Sequence, residues 1–320
     1  MSMPEQVRYA SPDERLRVNN ILDRCKLAEP GWAMTPPTVP RQARGSTLVK
    51  FFALVFAFSM PLWLLGGVTD LQLMPGLSVS ALAGFAPVAA ALVLVHLNKK
   101  SAGMLALLKR SFDFKRIQDK RWLVPVLFLM PAVSLAVYGL MRWMDTPLPA
   151  AQFHLIPARL MFIAFFVGAL GEELGWSGYA LDPMQARWGA LGASVLLGLV
   201  GILWHLTPLQ MMSRPPIWIA WWCLYALTFR IFAVWLYNNT GKSVFAAALF
   251  HATVNFAYIG FPVYGSHFDM RLASLLMAGA ALLVIACWGP KTLTGYKLLD
   301  GDRPATEPFH PFRPKRSEES

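Results

Sequence analysis

Apolar residues in this chain come in long blocks separated by short polar stretches. They show neither the period-2 alternation of half-buried strands nor the narrow stripe of amphipathic helices. Eight blocks predict eight helices: 47–66, 77–97, 122–143, 160–181, 189–206, 217–237, 243–261 and 272–288. Each is close to the ~17–25 residues that a helix needs to cross the hydrocarbon of a bilayer. A helix is the expected form because a spanning segment must satisfy its backbone hydrogen bonds internally. The expectation is an all-α, polytopic integral membrane protein of about eight transmembrane helices. Residues 1–46 and 289–320 are polar and proline-containing, and read as largely disordered tails flanking a transmembrane domain over 47–288.

Composition agrees: 56% of the 320 residues are hydrophobic and 15% charged, too apolar for an ordinary soluble domain. The net charge of +11 would fit a nucleic-acid partner, but its distribution argues against one. Of 29 basic residues, 23 fall in segments on one side of the spans, and only Arg159, Arg214 and Arg271 lie on the other. This asymmetry places both termini in the cytoplasm, with multi-pass insertion expected in the cytoplasmic membrane of a bacterium. The basic loop over 98–121 contains a weakly amphipathic stretch, expected to lie against anionic headgroups. The N-terminus lacks the order of a cleavable signal peptide, so the first span is expected to direct insertion. Cys25, Cys223 and Cys287 offer no extracytoplasmic disulfide and read as inert packing residues. There is no repeat of fixed period and no separate soluble domain.

The polar residues inside the spans change the picture. A charge at mid-bilayer costs ~2.5–3.5 kcal/mol on insertion scales, so buried ionisable groups are functional candidates. Glu172 and Glu173 lie well inside the fourth span, His205 in the fifth, Arg230 in the sixth, and His251 and Asn255 in the seventh. Each alone has a bland reading as a paired packing residue, and Trp218, Trp221 and Trp222 read as belt and packing. Together they favour a site. His251 and Asn255 project from one helix face. Glu172 and Glu173 point roughly 100° apart, Glu172 toward Trp176 and Tyr179, and Glu173 toward Ser177. Pro208, just after His205, is expected to kink or stop its helix.

This set suits hydrolysis. A carboxylate shielded from water can act as general base and then general acid. His205, His251 and Glu172 could hold a divalent metal such as zinc with an open position for water. Equally, without metal, a glutamate and a histidine could activate water while His251 and Asn255 stabilise the oxyanion. Residue types allow both. A ruler of ~1.5 Å per residue puts Glu172 about 18 Å from the outer end of its span and His251 about 12 Å from the inner end of its own. Those depths agree in a ~30 Å core, but His205 comes out ~24 Å from the inner end. The fifth span is therefore expected to be tilted or to continue past Pro208 toward Met212.

The motifs EELGWSGY, WHLTP and HATVN, in that order on successive apolar helices, resemble the CPBP family of intramembrane peptidases, which includes the CAAX prenyl proteases. That family carries EExxxR, FxxxH and HxxxN or HxxxD on a core of about eight helices, and the likeness covers residues ~160–260. The resemblance implies an intramembrane peptidase acting on a peptide or protein substrate among membrane lipids. Glu172 would activate water with Glu173 in support, and His205, His251 and Asn255 would bind the water, a metal or the oxyanion. Two positions depart from the pattern: the arginine of EExxxR is Ser177, and the phenylalanine of FxxxH is Gly201. With a serine there, Arg230 is the one other basic residue deep in a span, and is expected to pair with Glu173. The competing readings are an inactive relative that binds, scaffolds or confers immunity, and a proton-coupled transporter. Against the transporter, the two halves show no repeat. The sequence says nothing of oligomeric state.

Overall fold

The computed structural model describes residues 45–74, 77–150, 155–263 and 265–294. The predicted tails and Cys25 fall almost wholly outside them. Within the described residues there are eight α-helices: α1 Gly45–Val68, α2 Ala86–Leu108, α3 Leu123–Trp143, α4 Leu155–Gly175, α5 Leu181–Met211, α6 Pro216–Asn239, α7 Val244–Ile259 and α8 Met270–Trp288. A two-stranded antiparallel hairpin, β1 Gln72–Met74 and β2 Leu77–Ser78, follows α1. Six helical runs are long and apolar enough to cross a membrane, and α7 is a shorter apolar helix. The protein is an all-α, multi-pass integral membrane protein.

Two boundaries differ from the sequence reading, each for a local reason. The stretch 182–188, predicted as a loop, is helical, because a π-turn over Trp176–Ala180 carries α4 directly into α5. The resulting apolar run, Pro157–Met211, has 55 residues. At ~1.5 Å per residue it is about 80 Å long, so it must cross twice. The reversal falls at Gly189, whose φ of 69° is open to glycine at little cost. The backbone N–H groups freed just after it, on Ala190 and Leu191, donate to Lys291 O and Pro290 O. The second difference is the end of the fifth span, where the helix runs through Pro208, as the depth comparison called for, rather than stopping at 206. α5 continues to Met211, so the crossing extends beyond the predicted 206 and His205 sits further from its end. Proline is tolerated there because membrane helices re-satisfy the freed carbonyl locally.

The segments predicted to share the basic face meet at one end of the bundle. Asp113 accepts from Ser243 Oγ (2.8 Å), Val244 N (3.2 Å) and Phe245 N (3.0 Å), capping the start of α7. Arg110 donates to Gly178 O (2.8 Å), Tyr237 OH (2.9 Å) and Lys242 O (2.7 Å). Lys242 pairs with Asp182 at 3.0 Å, and Asn238 bonds both Gln185 and Thr292 O. The amphipathic stretch is a short helical segment after a break at Lys100, followed by a 3-10 turn over Lys109–Arg116. Phe112 and Phe114 on it are exposed. Cys223 and Cys287 are free thiols.

Burial sharpens toward that end. On α6 every residue from Thr228 to Tyr237 is buried, whereas the half nearer Pro216 is largely part-exposed. α4 packs on α7 and α2, and α6 packs on α5 and α8. Between α4 and α7 the contact is made by Ala169, Ala248 and Ala252, all buried, flanked by Phe162, Phe165 and Phe166. Small residues let helix backbones approach closely in a bilayer. This close approach sets the polar groups of α4 beside those of α7.

Candidate active site

Glu173 is completely buried and every direction around its carboxylate is taken. Arg230 Nη1 donates to Oε1 at 3.1 Å and to Oε2 at 3.0 Å. His251 Nδ1 lies 3.1 Å from Oε1, and Ser177 Oγ donates to Oε2. The serine that replaces the expected arginine therefore supplies a neutral donor, and the cation comes across from α6. Arg230 is itself 5% exposed, with its guanidinium over the Phe229 ring at 5.1 Å. An isolated buried charge would be costly, and this pairing removes that cost.

Glu172, one residue earlier, has quite different surroundings. Among the described residues its one hydrogen bond comes from Trp176 Nε1, at 3.3 Å. The rest of the carboxylate faces a cavity of about 90 Å³. His205 of α5, Arg230 of α6, and His251 and Asn255 of α7 line the same cavity. So the predicted residues come together from four helices, except that Glu173 and Ser177 sit behind the wall rather than in it. The cavity is roomy enough for water, which needs only about 10–15 Å³ of such space.

The orientation of each polar group can be read from its partners. His205 Nδ1–H donates to Gly201 O at 2.8 Å, leaving Nε2 as an acceptor. Its ring packs on Trp204 (4.6 Å) and Trp222 (5.3 Å between centroids). His251 turns Nδ1 to Glu173, and Phe229 holds the ring at 4.8 Å. An ionised carboxylate can only accept, so this nitrogen carries hydrogen. Asn255 makes no hydrogen bond with any described residue, and its amide is free to meet something in the cavity.

Trp222 and Tyr225, read from sequence as packing or not singled out, also line the cavity. The signal for both was spacing. Counting back from Arg230 by helical turns gives Ala226 and Trp222, with Tyr225 beside them, on one face of α6. The metal expectation fares differently. A catalytic zinc needs three protein donors converging at ~2.0–2.2 Å. No group of three His, Cys, Asp or Glu side chains among the described residues is placed to hold a metal ion. Glu172, His205 and His251 line the same cavity, and each histidine ties only its Nδ1 back to the protein.

The family described as Type II CAAX prenyl endopeptidase Rce1-like matches residues 154–257. That interval contains every polar residue of the cavity. Over that interval the chain is similar to the CAAX prenyl endopeptidases, the kind of intramembrane peptidase its motifs resemble. It is also 28% identical, over 233 residues, to a protein of Methanococcus maripaludis named CAAX prenyl protease 2. The alignment covers 64% of this chain and 81% of that relative. Both likenesses are to CAAX prenyl peptidases, and they support an intramembrane peptidase rather than a transporter.

Proposed function

We propose that the protein is an endopeptidase that cleaves a membrane-associated peptide, of the prenylated C-terminal kind suggested by its relative's name, with Glu172 as the water-activating group. The observation that carries this reading is the single cavity that Glu172, His205, His251 and Asn255 share. Water in the cavity donates one hydrogen to Glu172 and the other to His205 Nε2. Glu172 takes its proton as the water oxygen adds to the scissile carbonyl. The resulting oxyanion is met by Asn255 Nδ2–H and by His251 Nε2–H of the doubly protonated ring. Glu172 then passes its proton to the leaving nitrogen, the C–N bond breaks, and a carboxylic acid and an amine are released.

The scheme is electrically balanced. With both glutamates ionised, Arg230 and a protonated His251 balance them, and the site is neutral. Proton transfer to Glu172 as the oxyanion forms leaves that sum unchanged, so no net charge is created in a low-dielectric region. Glu173 holds His251 and Arg230 in place and touches no reacting atom. No step is routed through a metal.

The test is hydrolysis of farnesylated and unmodified peptides by purified protein in proteoliposomes, with Glu172→Gln as the control. Cleavage by the unmodified protein and its loss in the variant are expected. A Glu172→Gln protein that keeps full activity would sink the assignment. Equal cleavage with and without the farnesyl group would remove the prenyl component and leave the peptidase.

A further inference from the structure

Two glycines of α5 line the cavity, and only one is explained by packing. A Cβ on Gly198 would lie 2.9 Å from Leu227 Cδ1 and 3.4 Å from Arg230 Cβ, so glycine there lets α6 approach and brings Arg230 in. A Cβ on Gly201 would meet nothing within 4 Å. Gly139, Gly168 and Gly279 have the same open space at Cβ, but of these four glycines Gly201 is the one that lines the cavity. Gly201 lies one turn before His205, and its carbonyl accepts from that ring. Ile202, Trp222, Ala226 and Phe229 share the cavity with it and are all apolar. In the FxxxH pattern, a phenylalanine would stand where Gly201 leaves space.

We propose that Gly201 opens an apolar subsite beside the scissile bond, and that the substrate places a large aliphatic or aromatic side chain there. This rests on the peptidase reading. Gly201 adds no side chain to the cavity wall, and Ile202, Trp222, Ala226 and Phe229 line the same cavity, so this space suits an apolar flanking side chain rather than the reacting amide. Gly201 thus sets specificity and takes no part in proton transfer.

A matched series of peptides carrying Ala, Leu or Phe at each residue flanking the cleaved bond tests this, using full-length protein in proteoliposomes. The unmodified enzyme should favour Leu or Phe over Ala at one position by about 10–200-fold in kcat/KM, the range a hydrophobic pocket achieves. Gly201→Phe should erase that preference, read as the ratio of Leu or Phe to Ala peptides within each variant, and Gly201→Ala should fall between. Gly201→Ala should not lower the unfolding temperature, since the added Cβ meets nothing within 4 Å. In parallel, Kd for the same peptides is measured on Glu172→Gln with and without Gly201→Phe. Equal loss on all peptides, or an unchanged ratio in both arms, overturns the subsite. Should no peptide be hydrolysed by the unmodified enzyme, the peptidase reading fails, and the binding ratio still decides on Gly201. Absence of binding to every peptide also overturns it.

Discussion

Glu172 and Glu173 are neighbours on one helix, and their surroundings could hardly differ more. Glu173 is met by an arginine, a histidine and a serine from three helical segments, and no space is left beside it. Glu172 has one tryptophan N–H and an open cavity. A carboxylate with all its hydrogen-bonding capacity used is a structural anchor, because displacing any partner leaves a buried charge behind. A carboxylate with capacity unused can exchange a proton with whatever enters. The difference comes from the ~100° between successive helical side chains, which sends one acid to the α6–α7 seam and the other to the cavity.

The comparison can be broken at either acid. The largest effect is expected at Glu172→Gln, where kcat/KM should fall by about 10²–10⁴-fold, the share of a general base. Its unfolding temperature should stay where it was. A large drop in stability instead would make Glu172 an anchor too, and the contrast would vanish. At Glu173 the order reverses. Arg230→Gln should cost about 3–5 kcal/mol of stability by stranding a buried carboxylate. The double variant Glu173→Gln/Arg230→Gln should recover much of that loss, which a double-mutant cycle on denaturation in detergent will read. Additive single effects would show that the pair is not coupled.

A smaller effect is expected at Trp176→Phe, which removes the one bond to Glu172. A hydrogen bond to a charged group contributes about 1.5–3 kcal/mol. Only part of that is felt between ground and transition states, so kcat should fall by no more than about tenfold, at one decade per ~1.4 kcal/mol. Loss as severe as Glu172→Gln would mean that the tryptophan also touches substrate. The smallest effect is expected from chelation. Incubation with EDTA or 1,10-phenanthroline should leave kcat unchanged, since the histidines and Glu172 do not converge on a point. Inactivation reversed by added zinc would replace the water-activation scheme with a metal-centred one.

Much of this was legible in the sequence. Block-like hydrophobicity gave eight helices, and the eight observed ones overlap them in order. The polar set was legible because intramembrane charges are so costly that few survive without a role. Even the Arg230–Glu173 pair followed from counting, since a buried acid without its arginine needs a cation from elsewhere. What stayed hidden was set by contacts between distant segments. The helical path through 182–188 depends on a π-turn whose Gly178 carbonyl is held by Arg110, 68 residues away in sequence. The reversal at Gly189 is completed by backbone groups at Pro290 and Lys291. Trp222 looked like one of three belt tryptophans, because nothing local distinguishes a ring facing lipid from one packed on a histidine. Gly201 read only as a departure from FxxxH for the same reason: a missing side chain acquires meaning only when its neighbours are known.

The Glu173–Arg230 pair has a consequence for how the chain is made. The arginine lies 57 residues after the glutamate. At ~5–20 residues per second of synthesis, α4 precedes its counter-charge by roughly 3–11 s. During that interval an acid-bearing helix must enter the bilayer before the cation that neutralises it has been translated. α4 is therefore complete before its counter-charge exists, at a cost of ~2.5–3.5 kcal/mol that its apolar residues must offset until α6 arrives. The ion pair seen in the finished bundle is thus also a checkpoint in biogenesis, closing only when the nascent chain has grown past residue 230.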